Sequence, residues 1–138
     1  MATPTNATGS TKRVLIVDDD AATVRVLRDL LSGFRHDHDY IIETADDGTE
    51  ALAALERDRF DLVLLDLYMP LMTGLELVAE LHRRGLQTPV LLLTGNNDGR
   101  AAGEALKSGI LAYVPKPFDF QRIELLVSLA MSSKSTAA

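Results

Sequence analysis

Cysteine is absent from this chain of 138 residues, which removes disulfides, thiolate catalysis and Cys-based zinc sites together and leaves the redox compartment unspecified. Basic residues are in deficit: 14 Lys and Arg against 20 Asp and Glu give a formal charge of -6, a poor basis for gripping a phosphate backbone, so direct binding to nucleic acid is not expected. No stretch approaches the roughly 18 consecutive apolar residues of a membrane span, and the N-terminus lacks the apolar core of a signal peptide. These absences describe a soluble, cytoplasmic protein with no membrane partner. The length suits one domain, and a hydrophobic content of 46% fills one sizeable core but not two.

What is present is organised around residues 60–70. Leu62-Val63-Leu64-Leu65 run into Asp66, and Pro70 stops any further extended pairing, so this reads as a buried strand ending on a carboxylate. Residues 1–11 and 132–138 are polar and small, which predicts tails, with the folded domain over residues 12–131. Arg13-Val14-Leu15-Ile16-Val17 is a first strand that also ends on acid, at Asp18, Asp19 and Asp20. Val24, Leu27, Leu30 and Leu31 then form one face of a helix. Residues 32–39 read as a polar connection, and His36 and His38 in it read as solvated rather than as metal ligands.

A short strand over residues 40–44 leads through Asp46-Asp47-Gly48 to a helix beginning at Ala51 and ending near Arg59. After Asp66, the spacing of Leu75, Val78 and Leu81 predicts a third helix closed by Gly85. Residues 89–93 form a fourth strand ending at Thr94, and residues 98–108 a helix weakened by Gly99 and Gly103. A fifth strand over residues 110–114 precedes Lys116, and Ile123, Leu126, Val127 and Ala130 mark the last helix. Strands alternating with helices specify an α/β fold with a parallel sheet covered on both faces, whose ligands sit beyond the carboxyl ends of the strands.

Those ends carry Asp18, Asp19, Asp66, Thr94 and Lys116. Carboxylates gathered at one rim repel each other unless a cation intervenes, and magnesium suits a few hard oxygens supplemented by water. Asp19 and Asp66 are the expected direct ligands. Helix capping could account for Asp18 or Asp20 alone, but not for Asp66, which Leu67-Tyr68-Met69-Pro70 follows instead of a helix start. Taken alone, Lys116 is more often a turn lysine, and the alternative for Tyr113 is an aromatic closing a sheet edge.

Together these residues resemble the response-regulator receiver domains of bacterial two-component signalling. The resemblance covers residues 12–130. It rests on Val14-Leu15-Ile16-Val17-Asp18-Asp19-Asp20, Ala45-Asp46-Asp47-Gly48 with Glu50-Ala51-Leu52, Leu64-Leu65-Asp66-Leu67-Tyr68-Met69-Pro70 with Gly74, Leu93-Thr94-Gly95, and Tyr113-Val114-Pro115-Lys116-Pro117-Phe118. It implies a doubly wound, five-stranded parallel sheet in the order 2-1-3-4-5 with five helices, the CheY-like, flavodoxin-like three-layer sandwich.

It also implies that Asp66 accepts a phosphoryl group from a sensor histidine kinase or a histidine phosphotransfer protein. Mg²⁺, or Mn²⁺, would be held by Asp19, Asp66 and the Tyr68 carbonyl, with Asp18 acting through water. Lys116 would meet the phosphoryl group, across a cis bond to Pro117. Thr94 and Tyr113 would form the switch, remodelling the face of the fourth helix, fifth strand and fifth helix for a downstream protein partner. Tyr68 and Asn96 would flank the water that hydrolyses the acyl phosphate. The expected protein is a stand-alone signalling domain, a monomer or weak dimer, and not a turnover enzyme. The rival readings are a phosphorylation-independent scaffold of the same fold, and a magnesium-dependent phosphohydrolase of the haloacid dehalogenase type. The second needs another acid two residues after the nucleophile, where Tyr68 stands.

Overall fold

A computed structural model describes residues 10–34, 38–69, 71–95 and 99–132. Its elements in chain order are β1 (Ser10–Val17), α1 (Ala21–Ser32), β2 (His38–Ala45), α2 (Gly48–Arg57) and β3 (Leu62–Asp66), then α3 (Gly74–Arg83), β4 (Val90–Thr94), α4 (Gly99–Lys107), β5 (Ala112–Pro115) and α5 (Phe120–Ser132). The sheet is parallel throughout, in the order β2-β1-β3-β4-β5. This is the expected doubly wound architecture.

Strand alternation splits the core into two halves. Leu15, Val17, Val63, Leu65, Val90 and Leu92 pack beside Leu52 and Leu55 of α2, Leu77, Val78 and Leu81 of α3, and Ala105 of α4. The intervening residues Val14, Ile16, Leu62, Leu64, Leu91 and Leu93 pack beside Leu27 and Leu31 of α1 and Ile123, Val127 and Ala130 of α5. Both faces of the central strands are therefore apolar, as near-continuous hydrophobic runs require. The strand ends that carry polar residues are the only places where these strands can meet water.

Several boundaries differ from those read in the sequence. Ser10 and Thr11 belong to β1 instead of a tail, because their backbones pair with His38 and Asp39, a contact that needs no apolar side chain. His38 accordingly opens β2 instead of lying in the preceding connection. Ser132 ends α5 and is not part of the tail. Helix α2 starts earlier than Ala51, since the Asp47 side chain accepts from the Glu50 N–H at 2.8 Å and caps it. Strand β5 starts later than expected: Ile110 N–H still donates to the Ala105 carbonyl at the end of α4. In α3 the buried positions are Leu77, Val78 and Leu81, with Leu75 only partly buried. A strict three-residue spacing drifts off a helix face of 3.6 residues per turn, so the core position moves from 75 to 77. His36, Pro70 and Asn96 lie outside the described residues.

Candidate functional site

Strand β1 delivers Asp18 to the sheet rim, where its N–H donates to the Ala45 carbonyl at 3.1 Å and its carboxylate is 1% exposed. Asp18 Oδ1 accepts from the Asp20 N–H at 2.9 Å, while Oδ2 is buried without a hydrogen-bond partner. Asp19 is exposed. Asp20 is the α1 cap, accepting from the Ala22 N–H at 3.2 Å and the Thr23 hydroxyl at 2.7 Å. Those bonds hold the Asp20 carboxyl below its ordinary pKa. Of the two acids for which capping was an available explanation, it applies to Asp20.

Strand β3 ends on Asp66, which is 6% exposed. Helix α3 presses directly on this strand end: Gly74 N–H donates to the Leu67 carbonyl at 2.8 Å, and a Cβ on Gly74 would stand 2.7 Å from the Asp66 carbonyl oxygen. Only a residue without a side chain fits there. Gly48, at the start of α2, is similarly confined, since a Cβ would stand 2.7 Å from the Cβ of Met72 in the β3–α3 loop.

One carboxylate oxygen from each of Asp18, Asp19 and Asp66 lies within 4.8 Å of the others. Lys116 reaches into this group from the end of β5, its Nζ 3.7 Å from Asp18 Oδ2 and 3.6 Å from Asp66 Oδ1, within ion-pair range but too long for hydrogen bonds. The Lys116–Pro117 bond is cis, and the Lys116 ammonium also lies 5.8 Å from the centre of the Phe118 ring. Phe118 entered the sequence reading only as part of a motif, and nothing in its local pattern marked it as a neighbour of the ammonium.

Burial raises the Asp66 carboxyl to about 6, helped by the negative charge of Asp18 and opposed by Lys116. Burial likewise raises Asp18, against the hydrogen bond from Asp20 and the charge of Lys116. One ammonium thus faces three carboxylates, and one buried carboxylate oxygen has no hydrogen bond. The donor set is all hard oxygen and short of positive charge, which fits a small divalent cation of the magnesium type.

Thr94 closes β4 and is 1% exposed; its carbonyl accepts from the Lys116 N–H at 2.7 Å, tying the β4 and β5 ends together. Asp66 is one strand away, registered opposite Leu93. Tyr113 sits in β5 opposite Leu92, half-buried against the core half that contains α3 and α4, and its carbonyl accepts from Arg122 at 3.4 Å. Tyr68, two residues past Asp66, is 49% exposed.

An acid-rimmed parallel sheet of this order defines a class of CheY-like proteins. Residues 14–128 match the family model of the response regulator receiver domain, and the chain belongs to that family. It is 38% identical over 119 residues to the transcriptional regulatory protein ZraR of Klebsiella oxytoca, covering 86% of this chain and 26% of that protein. It is 39% identical over 111 residues to the response regulator MprA of Mycobacterium leprae, covering 80% of this chain and 47% of that one. The chain therefore spans between a quarter and a half of the length of these relatives.

Among solved structures, the signal receiver domain of an HD domain-containing protein from Pseudomonas fluorescens superposes with a TM-score of 0.82 at 31% identity, covering 91% of this chain and 98% of that one. A CheY-like receiver domain from Methanospirillum hungatei superposes with a TM-score of 0.81 at 28% identity, covering 94% of this chain and all of that one, 100%. The curated relatives are thus named as a transcriptional regulatory protein and a response regulator. Among the described residues no helix is long and apolar enough to cross a membrane.

Proposed function

We propose that this chain is a phosphoacceptor in a two-component or phosphorelay system, with Asp66 taking a phosphoryl group from a phosphohistidine on a sensor kinase or phosphotransfer protein. The single observation that carries the reading is the arrangement around Asp66: a buried carboxylate with Lys116 Nζ 3.6 Å away and oxygens of Asp18 and Asp19 within 4.8 Å. In the transfer, an Asp66 Oδ atom attacks phosphorus and forms the P–O bond of an acyl phosphate. The P–N bond breaks, and its electron pair stays on the imidazole nitrogen, which takes up a proton.

Asp19, Asp66 and the Tyr68 carbonyl, with Asp18 acting through water, would hold Mg²⁺ or Mn²⁺, which would supply positive charge to offset that on the transferred group. The Lys116 ammonium moves from the carboxylate oxygen to a phosphoryl oxygen, as a compact point charge. The Thr94 hydroxyl donates to another phosphoryl oxygen and draws the end of β4 inward, and Tyr113 turns further into the space vacated. The α4-β5-α5 surface then changes shape for a downstream protein. The phosphate shifts this equilibrium by its differential affinity for the two arrangements.

The test is incubation with acetyl phosphate and Mg²⁺ followed by intact mass. Wild type should gain one phosphoryl group and Asp66→Asn none; equal labelling of both, or labelling of neither, refutes the assignment.

A further inference from the structure

One ammonium, that of Lys116, faces the three carboxylates of the rim, and no hydrogen bond to them fixes where it sits. Its Nζ stands 3.7 Å from Asp18 Oδ2 and 3.6 Å from Asp66 Oδ1, within ion-pair range of both and bonded to neither. The side chain is 26% exposed and its stem is flexible, so attraction alone leaves the charge several places to rest. Exposed Asp20 competes for it: the carboxyl is held low first by the Thr23 hydroxyl, but it also feels the charge of Lys116. There is room to swing that way, because Lys116 lines one open groove with Ala22 and Thr23 at the start of α1.

A further neighbour of the ammonium is of another kind. Nζ lies 5.8 Å from the centre of the Phe118 ring, inside the range at which an aromatic face attracts a cation. The ring is itself fixed, half-buried against the core half that contains α1 and α5. An aromatic face attracts charge through its quadrupole and occupies none of the N–H donors of a lysine. A carboxylate or carbonyl in its place would hold the ammonium by a hydrogen bond, which would have to break before a phosphoryl oxygen could be met.

We infer that Phe118 is a positioning residue, whose ring keeps the Lys116 ammonium on the Asp66 side of the rim and leaves its N–H groups available to the transferred phosphoryl group. The kinetic consequence rests on the function proposed above. The contact itself does not, and the two are measured separately.

The experiment places mono-, di- and trifluorinated phenylalanine at residue 118 of the full chain, which draws charge from the ring face stepwise and barely changes its shape. Labelling of Asp66 by subsaturating acetyl phosphate with Mg²⁺ should slow stepwise, reaching about fivefold for the trifluorinated ring, the size of one lost cation–π contact. Phe118→Leu, apolar without a π face, should slow as much, and Phe118→Tyr, which keeps the face, should label at the wild-type rate. In a Lys116→Met background the fluorinated rings should change nothing further. In the unphosphorylated protein the Lys116 ε-methylene protons should move downfield on Phe118→Leu, as the ring current is lost. Equal rates across the fluorinated series overturn the inference, as do losses that persist in full with Lys116→Met, which would mean that the ring only shapes the loop. An ε-methylene resonance indifferent to Phe118→Leu overturns it too. Failure of acetyl phosphate to label wild-type Asp66 strikes the proposed function instead, and that resonance still decides whether the ring holds the lysine.

Discussion

Asp66 is a residue whose chemistry opposes its own folding. Burial first, then Asp18, raises its carboxyl to about 6, whereas an unfolded aspartate titrates near pH 3.9, about two pKa units lower. Between those values the folded chain holds a proton that the unfolded chain has lost, so stability falls as pH rises through this window and the whole penalty is present above about pH 6. One pKa unit corresponds to about 1.4 kcal/mol, and solvent screening at the rim reduces the full effect to about 1–2 kcal/mol. Asp66→Asn in metal-free buffer should therefore be more stable than wild type by that amount at pH 8 and nearly equal to it at pH 4. Urea midpoints at the two pH values check this; a gain that is the same at both would show that charge is not its source.

Tyr68 belongs to the same scale. Its half-exposed ring stands two residues from the acceptor, and we propose that it flanks the path of the water that hydrolyses the acyl phosphate. Tyr68→Asn should still accept phosphate but lose it faster. One added hydrogen bond to the attacking water is worth about 1 kcal/mol, roughly a factor of five in rate. Equal decay of the two phosphorylated proteins, followed by intact mass, would remove Tyr68 from the hydrolytic path. The strand-end acids and Lys116 were legible because an apolar run that stops on a charged residue must leave it at a rim. What was not legible is the division of labour among Asp18, Asp19 and Asp20. Which of three consecutive acids is buried, exposed or capping depends on how the turn after Val17 rotates, and all three look alike in the chain. The left-handed backbone of Leu71, at φ 74°, was hidden for the opposite reason, since nothing about leucine announces it.

Among the elements, α3 and α4 contrast. Helix α3 is built against the site: its capping box joins Thr73 and Glu76, and Gly74 touches the backbone of Asp66. Gly74→Ala would place a methyl group 2.7 Å from a carbonyl oxygen and 3.0 Å from the Cα of Leu67, and backbone cannot rotate away. The expected loss is about 1–3 kcal/mol, with slower labelling of Asp66 because the strand end must shift. Gly103 in α4 has nothing within 4 Å of a Cβ and no left-handed backbone, so Gly103→Ala should stabilise by about 0.5–1 kcal/mol. Thermal melts of the pair should move in opposite directions; a shared direction would contradict this reading of the contacts. The glycines of α4 were visible in the sequence as a source of weakness, and Ala105 is its one fully buried side chain among the described residues. The phase of α3 was not visible, because Leu75 and Leu77 are both leucines and only the packed sheet decides between them.

At the level of the whole molecule, two apolar core halves pack on opposite faces of the sheet whose carboxyl end gathers the acids, so moving the strands apart to relieve that charge would cost buried apolar contacts. The near-continuous apolar runs of the strands, and with them a sheet covered on both faces, were readable in the sequence; the strand order came only with the family resemblance, since no local pattern says which strand lies beside which. A rigid scaffold holding three carboxylates against one ammonium should couple global stability to a divalent cation. An ion that binds only the folded chain adds RT ln(1 + [L]/Kd), about 2.7 kcal/mol at a hundred times Kd, and it should raise Tm at pH 8. Protons compete for the same oxygens, and because Asp66 titrates near 6, the rise should shrink as pH falls through that value. Asp66→Asn, which removes one ligand and the charge it carries, should show a much smaller rise at every pH. Melts with Mg²⁺ against Na⁺ at equal ionic strength separate specific binding from screening. A Tm that follows ionic strength alone, or a rise that survives unchanged at pH 5, would mean that the acids are balanced by general solvent ions and that the rim holds no metal of its own.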